Sequence, residues 1–179
     1  MASIALIFGC LVGSAFFSGS ETALLRLRQS ELEGEPARET GPATSAIRAL
    51  LKSTSRLLVT ILLGNNVVNI LGAALASALA VSYLGPKAGV AVATAAMTFF
   101  VLVFCEILPK AVAAAHPRGV SGMVALPLYI FHQLLRPVHR VIAQLLDPAV
   151  QRITGGAQDS SLVSAEEILR LARQARLED

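Results

Sequence analysis

Apolar positions in this chain fall in long unbroken runs separated by short polar stretches. From Ala2 to Ser20 no residue is charged, and continuing to Leu25 gives a segment able to cross a hydrocarbon core of about 30 Å, which takes ~20 helical residues. Leu57 to Tyr83 and Ala88 to Cys105 are two more charge-free runs, joined by Leu84-Gly85-Pro86-Lys87, a sequence suited to a tight turn. The pattern predicts three transmembrane helices, the second and third forming a hairpin. A fourth apolar stretch, Gly119 to Leu135, is short, contains Pro127 and is bracketed by Arg118 and Arg136. It reads as a re-entrant pair or an in-plane helix in preference to a full span.

The segments between the runs are polar. Arg26 to Arg56 mixes Glu31, Glu33, Glu35 and Glu39 with basic residues and is broken by Pro36, Gly41 and Pro42, as expected of short helices on the aqueous side. Beyond Val138, the residues Val141, Ile142, Leu145, Leu146 and Val150 recur at helical spacing opposite Arg140, Gln144, Asp147 and Arg152, the pattern of an interfacial amphipathic helix. Gly155-Gly156 ends it. Residues 1–156 thus read as a transmembrane module with juxtamembrane helices, and residues 157–179 as a linker and the start of a truncated cytoplasmic region. Ser164-Ala165-Glu166-Glu167 there has the capping-box spacing of a helix start. The fold class expected is an all-α membrane protein with three spans, a re-entrant or in-plane element and cytoplasmic amphipathic belt helices. No internal repeat of useful length suggests an inverted-repeat transporter.

Composition sharpens this picture. Hydrophobic residues make up 54% of the chain and charged residues 15%, against roughly a quarter charged in an ordinary soluble domain. The net charge of +3 does not point to nucleic acid, because the basic residues flank apolar runs and form no stripe with interleaved aromatics. A cleaved signal peptide is disfavoured at the amino terminus, which has no basic n-region. Cys10 and Cys105 lie inside apolar runs and read as buried thiols. Basic residues decide orientation, since they concentrate in cytoplasmic loops. Arg26, Arg28, Arg38, Arg48, Lys52 and Arg56 follow the first run, and Lys110, Arg118, Arg136, Arg140 and Arg152 follow the third. Only Lys87 lies in the hairpin turn. A multi-pass protein of the cell (inner) membrane is expected, with its amino terminus outside and carboxyl terminus cytoplasmic.

Three polar clusters interrupt the apolar runs. Ser18-Gly19-Ser20-Glu21-Thr22 lies near the inner end of the first helix, where a carboxylate in hydrocarbon is costly unless paired, protonated or bound to a cation. Glu21 alone could instead snorkel to the interface. Gly64-Asn65-Asn66-Val67-Val68-Asn69 puts three amides after a glycine in the second helix, more than interhelical hydrogen bonding requires. Glu106-Ile107-Leu108-Pro109-Lys110 ends the third, and Pro109 cannot donate to the carbonyl of Cys105, so an oxygen is freed beside a carboxylate. The simpler alternative there is an i, i+4 ion pair between Glu106 and Lys110. All three clusters fall at the same inner-leaflet depth. Hydroxyl, amide, carboxylate and carbonyl oxygens are ligands for a hard cation, magnesium or sodium, whereas zinc or copper would favour Cys and His. The histidines His116, His132 and His139 share no motif, and no nucleophile and base pair suggests an enzyme.

These same three motifs, in this order and spacing, resemble those of the CorC and cyclin-M family of magnesium transporters, and the resemblance covers nearly the whole chain. It implies a homodimer of three-span modules with a re-entrant juxtamembrane element and a belt of cytoplasmic helices. Carried over by motif, Ser18, Asn65 and Glu106 are implied as the principal magnesium ligands. Ser20 and Gly64 are implied as further contributors, and Glu21 and Asn69 as additional ion-site residues. The family normally continues into paired CBS domains, which are absent from this sequence. Magnesium is then the transported ion, export the implied direction and sodium the implied coupling ion. The alternative is a membrane-anchored magnesium sensor or dimeric scaffold without flux. The small residues Gly72, Ala76, Gly89 and Ala93 are candidates for a dimer face.

Overall fold

The computed structural model describes residues 1–32, 41–141 and 144, and among them the chain is all-helical. The elements are α1 (Ala2–Leu32), α2 (Pro42–Leu51), α3 (Thr54–Leu84), α4 (Pro86–Phe100), a π-helical segment π1 (Val101–Ile107), α5 (Leu108–Ala115) and α6 (Pro117–Leu134). Three stretches are long and apolar enough to cross a bilayer, Ala2–Leu27, Thr54–Leu84 and Pro86–Ala115. The third joins α4, π1 and α5 into one span. In hydrocarbon every backbone group must be satisfied within the segment, and a helix does this with no outside partner. The predicted amphipathic helix after Val138, the linker and the capping-box helix fall largely or wholly outside the described residues.

The hairpin between α3 and α4 turns at Gly85, whose φ of 77° and ψ of 170° lie in a region nearly confined to glycine. Its N–H donates to the Val81 carbonyl, and its own carbonyl accepts from Gly89. A Cβ at Gly89 would stand 2.5 Å from the Val81 Cα, so the two helices leave the turn in backbone contact.

Chain packing divides residues Met1–Leu135 and Arg136–Asp179 into two compact units. In the first, the core lies at one end of the spans. Phe17, Leu24 and Leu27 of α1 pack with Leu57 and Ile61 of α3, Ala46, Ile47 and Leu50 of α2, and Ala125 and Leu128 of α6. The amphipathic α2 buries its apolar face here, and α6 joins α1 and α2. Thr60 of α3 adds a hydrogen bond of 2.7 Å to His132 Nδ1 of α6. Pro127 does not divide α6, which runs unbroken from Pro117 to Leu134, so this stretch is a single helix and not a pair. Elsewhere large apolar side chains face outward, among them Phe8, Leu62, Ile70, Val92 and Phe99. An apolar surface of this extent suits a lipid surrounding.

Candidate ion site

The polar clusters meet because of how closely α1 approaches α3. Gly64 lies beneath the Phe17 ring, and a Cβ on it would come 2.3 Å from the Phe17 Cζ. A side chain at Gly64 would have to displace the Phe17 ring. The same seam continues through Gly13 against Val68 and Gly72 against Cys10 and Met97, with notional Cβ distances of 3.2 Å and 3.1 Å. Gly72, Gly89 and Ala93, named above as a dimer face, are thus buried within the chain.

Along this seam Ser14 Oγ donates to Asn65 Oδ1 at 3.0 Å, and Asn69 Nδ2 donates to the same oxygen at 3.4 Å. Ser18 is one turn below Ser14 on the same face of α1. Its hydroxyl is buried and has no hydrogen-bond partner among the described residues. An unsatisfied buried hydroxyl costs about 1 to 3 kcal/mol. Ser20 is also buried, but it donates to the Phe16 carbonyl of its own helix at 2.6 Å. Gly19 meets Pro109 of α5 at an ordinary contact distance, so α1 touches the third span as well.

The third span changes register where it carries its carboxylate. At its start, the Val101 N–H is shared between the carbonyls of Met97 and Thr98, and at its end the Leu108 N–H reaches back five residues to Val103. Pro109 supplies a reason, since its ring crowds the carbonyl four residues earlier in an α-helix and it has no N–H to give. The disturbance expected around Cys105 takes the form of a wider turn. π-Helical turns of this kind are frequent at functional sites. Glu106 lies in π1 and, with Asn69 of α3, lines a groove of about 350 Å³ between α3 and α4. Among the described residues Glu106 has no hydrogen bond or ion pair. Lys110, its expected partner, is instead bonded to Glu21 of α1 at 3.3 Å.

Asn65 is therefore joined to α1 by a hydrogen bond and to Asn69 by another, Asn69 and Glu106 share a groove, and Ser18 is buried on the α1 face that carries Ser14. Ser20 is turned to its own backbone, and Glu21 is half-exposed in an ion pair. Ser14 was missed in the sequence, although its spacing of four from Ser18 was a signal. Thr94, Thr98 and Ser77, which also line the groove, read in sequence as ordinary span residues. No group of three or more His, Cys, Asp or Glu side chains able to hold a metal occurs among the described residues. A cation here would be met by hydroxyl and amide oxygens and one carboxylate, a hard donor set.

Three apolar helices carrying this polar seam define a multi-pass membrane protein. The chain belongs to the family described as the cyclin M transmembrane N-terminal domain, whose profile matches residues 5–179. It is 34% identical over 170 residues to the UPF0053 inner membrane protein YfjD of Escherichia coli K12, covering 91% of this chain and 38% of that protein. It is 36% identical over 170 residues to a UPF0053 protein of Haemophilus influenzae, covering 93% of this chain and 39% of the relative. A DUF21 domain-containing chloroplastic protein of Arabidopsis thaliana is 34% identical over 173 residues, 96% of this chain and 26% of its own length. The chain thus spans between about a quarter and two fifths of these relatives.

Proposed function

We propose that this protein transports magnesium across the membrane, with the ion held between α1, α3 and π1. The observation that carries the reading is Glu106, a carboxylate in an apolar span that has no cationic partner among the described residues although Lys110 is one helical turn away. A charged side chain in hydrocarbon is costly, up to on the order of 3 kcal/mol at the bilayer centre on insertion scales and less toward the interface, and a bound cation offsets that cost. The buried, unpartnered hydroxyl of Ser18 gains a partner in the same way. Principal ligands are Ser18, Asn65 and Glu106, with Ser20 and Gly64 contributing through hydroxyl or backbone oxygen. Asn69 supports Asn65. Magnesium demands near-octahedral oxygen ligation at about 2.0 to 2.1 Å and gives up water reluctantly, so a site with one carboxylate retains water or is completed by backbone carbonyls.

In this reading the amino terminus is outside, magnesium leaves the cell, sodium entry drives it, and the module works as a homodimer in the bilayer. The test is magnesium flux in proteoliposomes holding the full chain, with a magnesium-sensitive dye inside. The parent is expected to carry flux and Glu106→Gln to abolish it. Magnesium binding by the parent without flux would replace the transporter reading with that of a sensor.

A further inference from the structure

The groove that receives Glu106 does not end there. It extends along the α3 and α4 hairpin toward the Gly85 turn, lined in succession by Glu106, Asn69, Thr98, and then Ser77 and Thr94. At a rise of about 1.5 Å per residue, Asn69 stands roughly 24 Å and Thr98 roughly 20 Å from Gly85, and Ser77 and Thr94 roughly 13 Å. With Glu106 roughly 31 Å from Gly85 on the same rise, the row climbs from the depth of Glu106 to about the middle of the membrane.

The hydroxyls in this row are not used in the usual way. Serine and threonine in apolar helices commonly bond to a carbonyl of the preceding turn, as Ser20, Thr60 and Ser82 do here. Among the described residues the side chains of Ser77, Thr94 and Thr98 make no hydrogen bond. Thr94 and Thr98 are also exposed on the groove side of an otherwise apolar helix. A bare hydroxyl facing hydrocarbon is unfavourable, so such a row needs water or a cation beside it.

We propose that this groove is a segment of the ion path, in which a hard cation moves from Glu106 toward the Gly85 side of the membrane with Thr98, and then Thr94 and Ser77 at one level, as hydroxyl ligands. This rests on the transport reading above. A path must bind weakly at several points for the ion to leave, and neutral hydroxyls at two levels one turn apart, Thr98 and then Thr94 with Ser77, do this where further carboxylates would trap it. Met97 and Ala93 form an apolar wall beside them.

The test uses the full chain in proteoliposomes, with magnesium alone as the probe, and compares the parent with the triple variant Ser77→Ala, Thr94→Val, Thr98→Val. Flux is expected to fall about tenfold or more, each tenfold corresponding to about 1.4 kcal/mol of barrier. Magnesium affinity and oligomeric mass should be unchanged, because Glu106, Asn65 and Ser18 are intact. In a background with Cys10→Ala and Cys105→Ala, single cysteines replacing Thr94 and Ser77 should react with a water-soluble cationic thiol reagent, and cysteines replacing Val90 and Val92 should not. Parent flux with an unimpaired triple variant would overturn the path and leave the transporter reading standing. Unreactive cysteines at both groove positions would also overturn it, as would a change in oligomeric mass, which would make the hydroxyls contacts between copies. Absence of parent flux would remove both proposals.

Discussion

Lys110 Nζ lies 3.3 Å from Glu21 Oε2 on α1 and leaves Glu106, four residues earlier in the same span, without a cation among the described residues. The pair ties α1 to α5 and separates the two carboxylates by role. Both side chains are more than a third exposed, so screening limits their worth to about 0.2 to 1 kcal/mol. Replacing Lys110 with Gln should lower thermal stability slightly and leave magnesium affinity unchanged. A large rise in affinity would mean that Lys110 competes with the ion for Glu106.

Gly64 sets the distance between α1 and α3. A methyl group there meets the Phe17 ring, and overpacking of this kind costs about 1 to 3 kcal/mol. Gly64→Ala should lower the unfolding temperature in detergent and weaken magnesium binding together. Adding Phe17→Leu should restore much of both, because the ring is the obstruction. Failure of that double variant to recover either property would show that Gly64 acts otherwise.

Ser14 and Ser18 separate structure from ligation. Ser14→Ala removes the hydrogen bond to Asn65 and should cost about 1 kcal/mol of stability. Ser18→Ala removes a buried hydroxyl that has no partner, so the ion-free protein should be as stable or slightly more so. Its magnesium affinity should nevertheless fall. Equal affinity in Ser18→Ala and the parent, measured by calorimetry, would take Ser18 out of the ligand set.

The three spans were legible because long charge-free runs have few other uses, and the hairpin because Gly85-Pro86 ends one helix and starts another. Depth was legible too, since the spacing of the clusters from that turn brings Asn65 and Glu106 level. Contacts that depend on azimuth were not. Nothing in the sequence distinguishes a small residue that packs inside the chain from one that faces another copy, and Gly72, Gly89 and Ala93 proved to be internal. Pro109 signalled a disturbed helix, but the π form that the disturbance takes depends on what surrounds it. Lys110 could reach two carboxylates, and only the position of α1 decides between them.

Orientation rests on the distribution of Lys and Arg and is open to direct measurement. Single cysteines at Lys87 and Arg48, in a background lacking Cys10 and Cys105, should differ toward an impermeant reagent applied to intact cells. Lys87 is expected to label and Arg48 to be protected. The reverse would invert the topology and move the ion site to the outer leaflet.

The central claim is that the carboxylate of Glu106 binds the ion, and magnesium calorimetry on Glu106→Gln against the parent tests it most directly. The substitution keeps the shape of the side chain and removes its charge, so helix content and unfolding temperature should be preserved or raised slightly. Magnesium binding should disappear from the titration. Unchanged affinity in a folded Glu106→Gln protein would contradict the assignment.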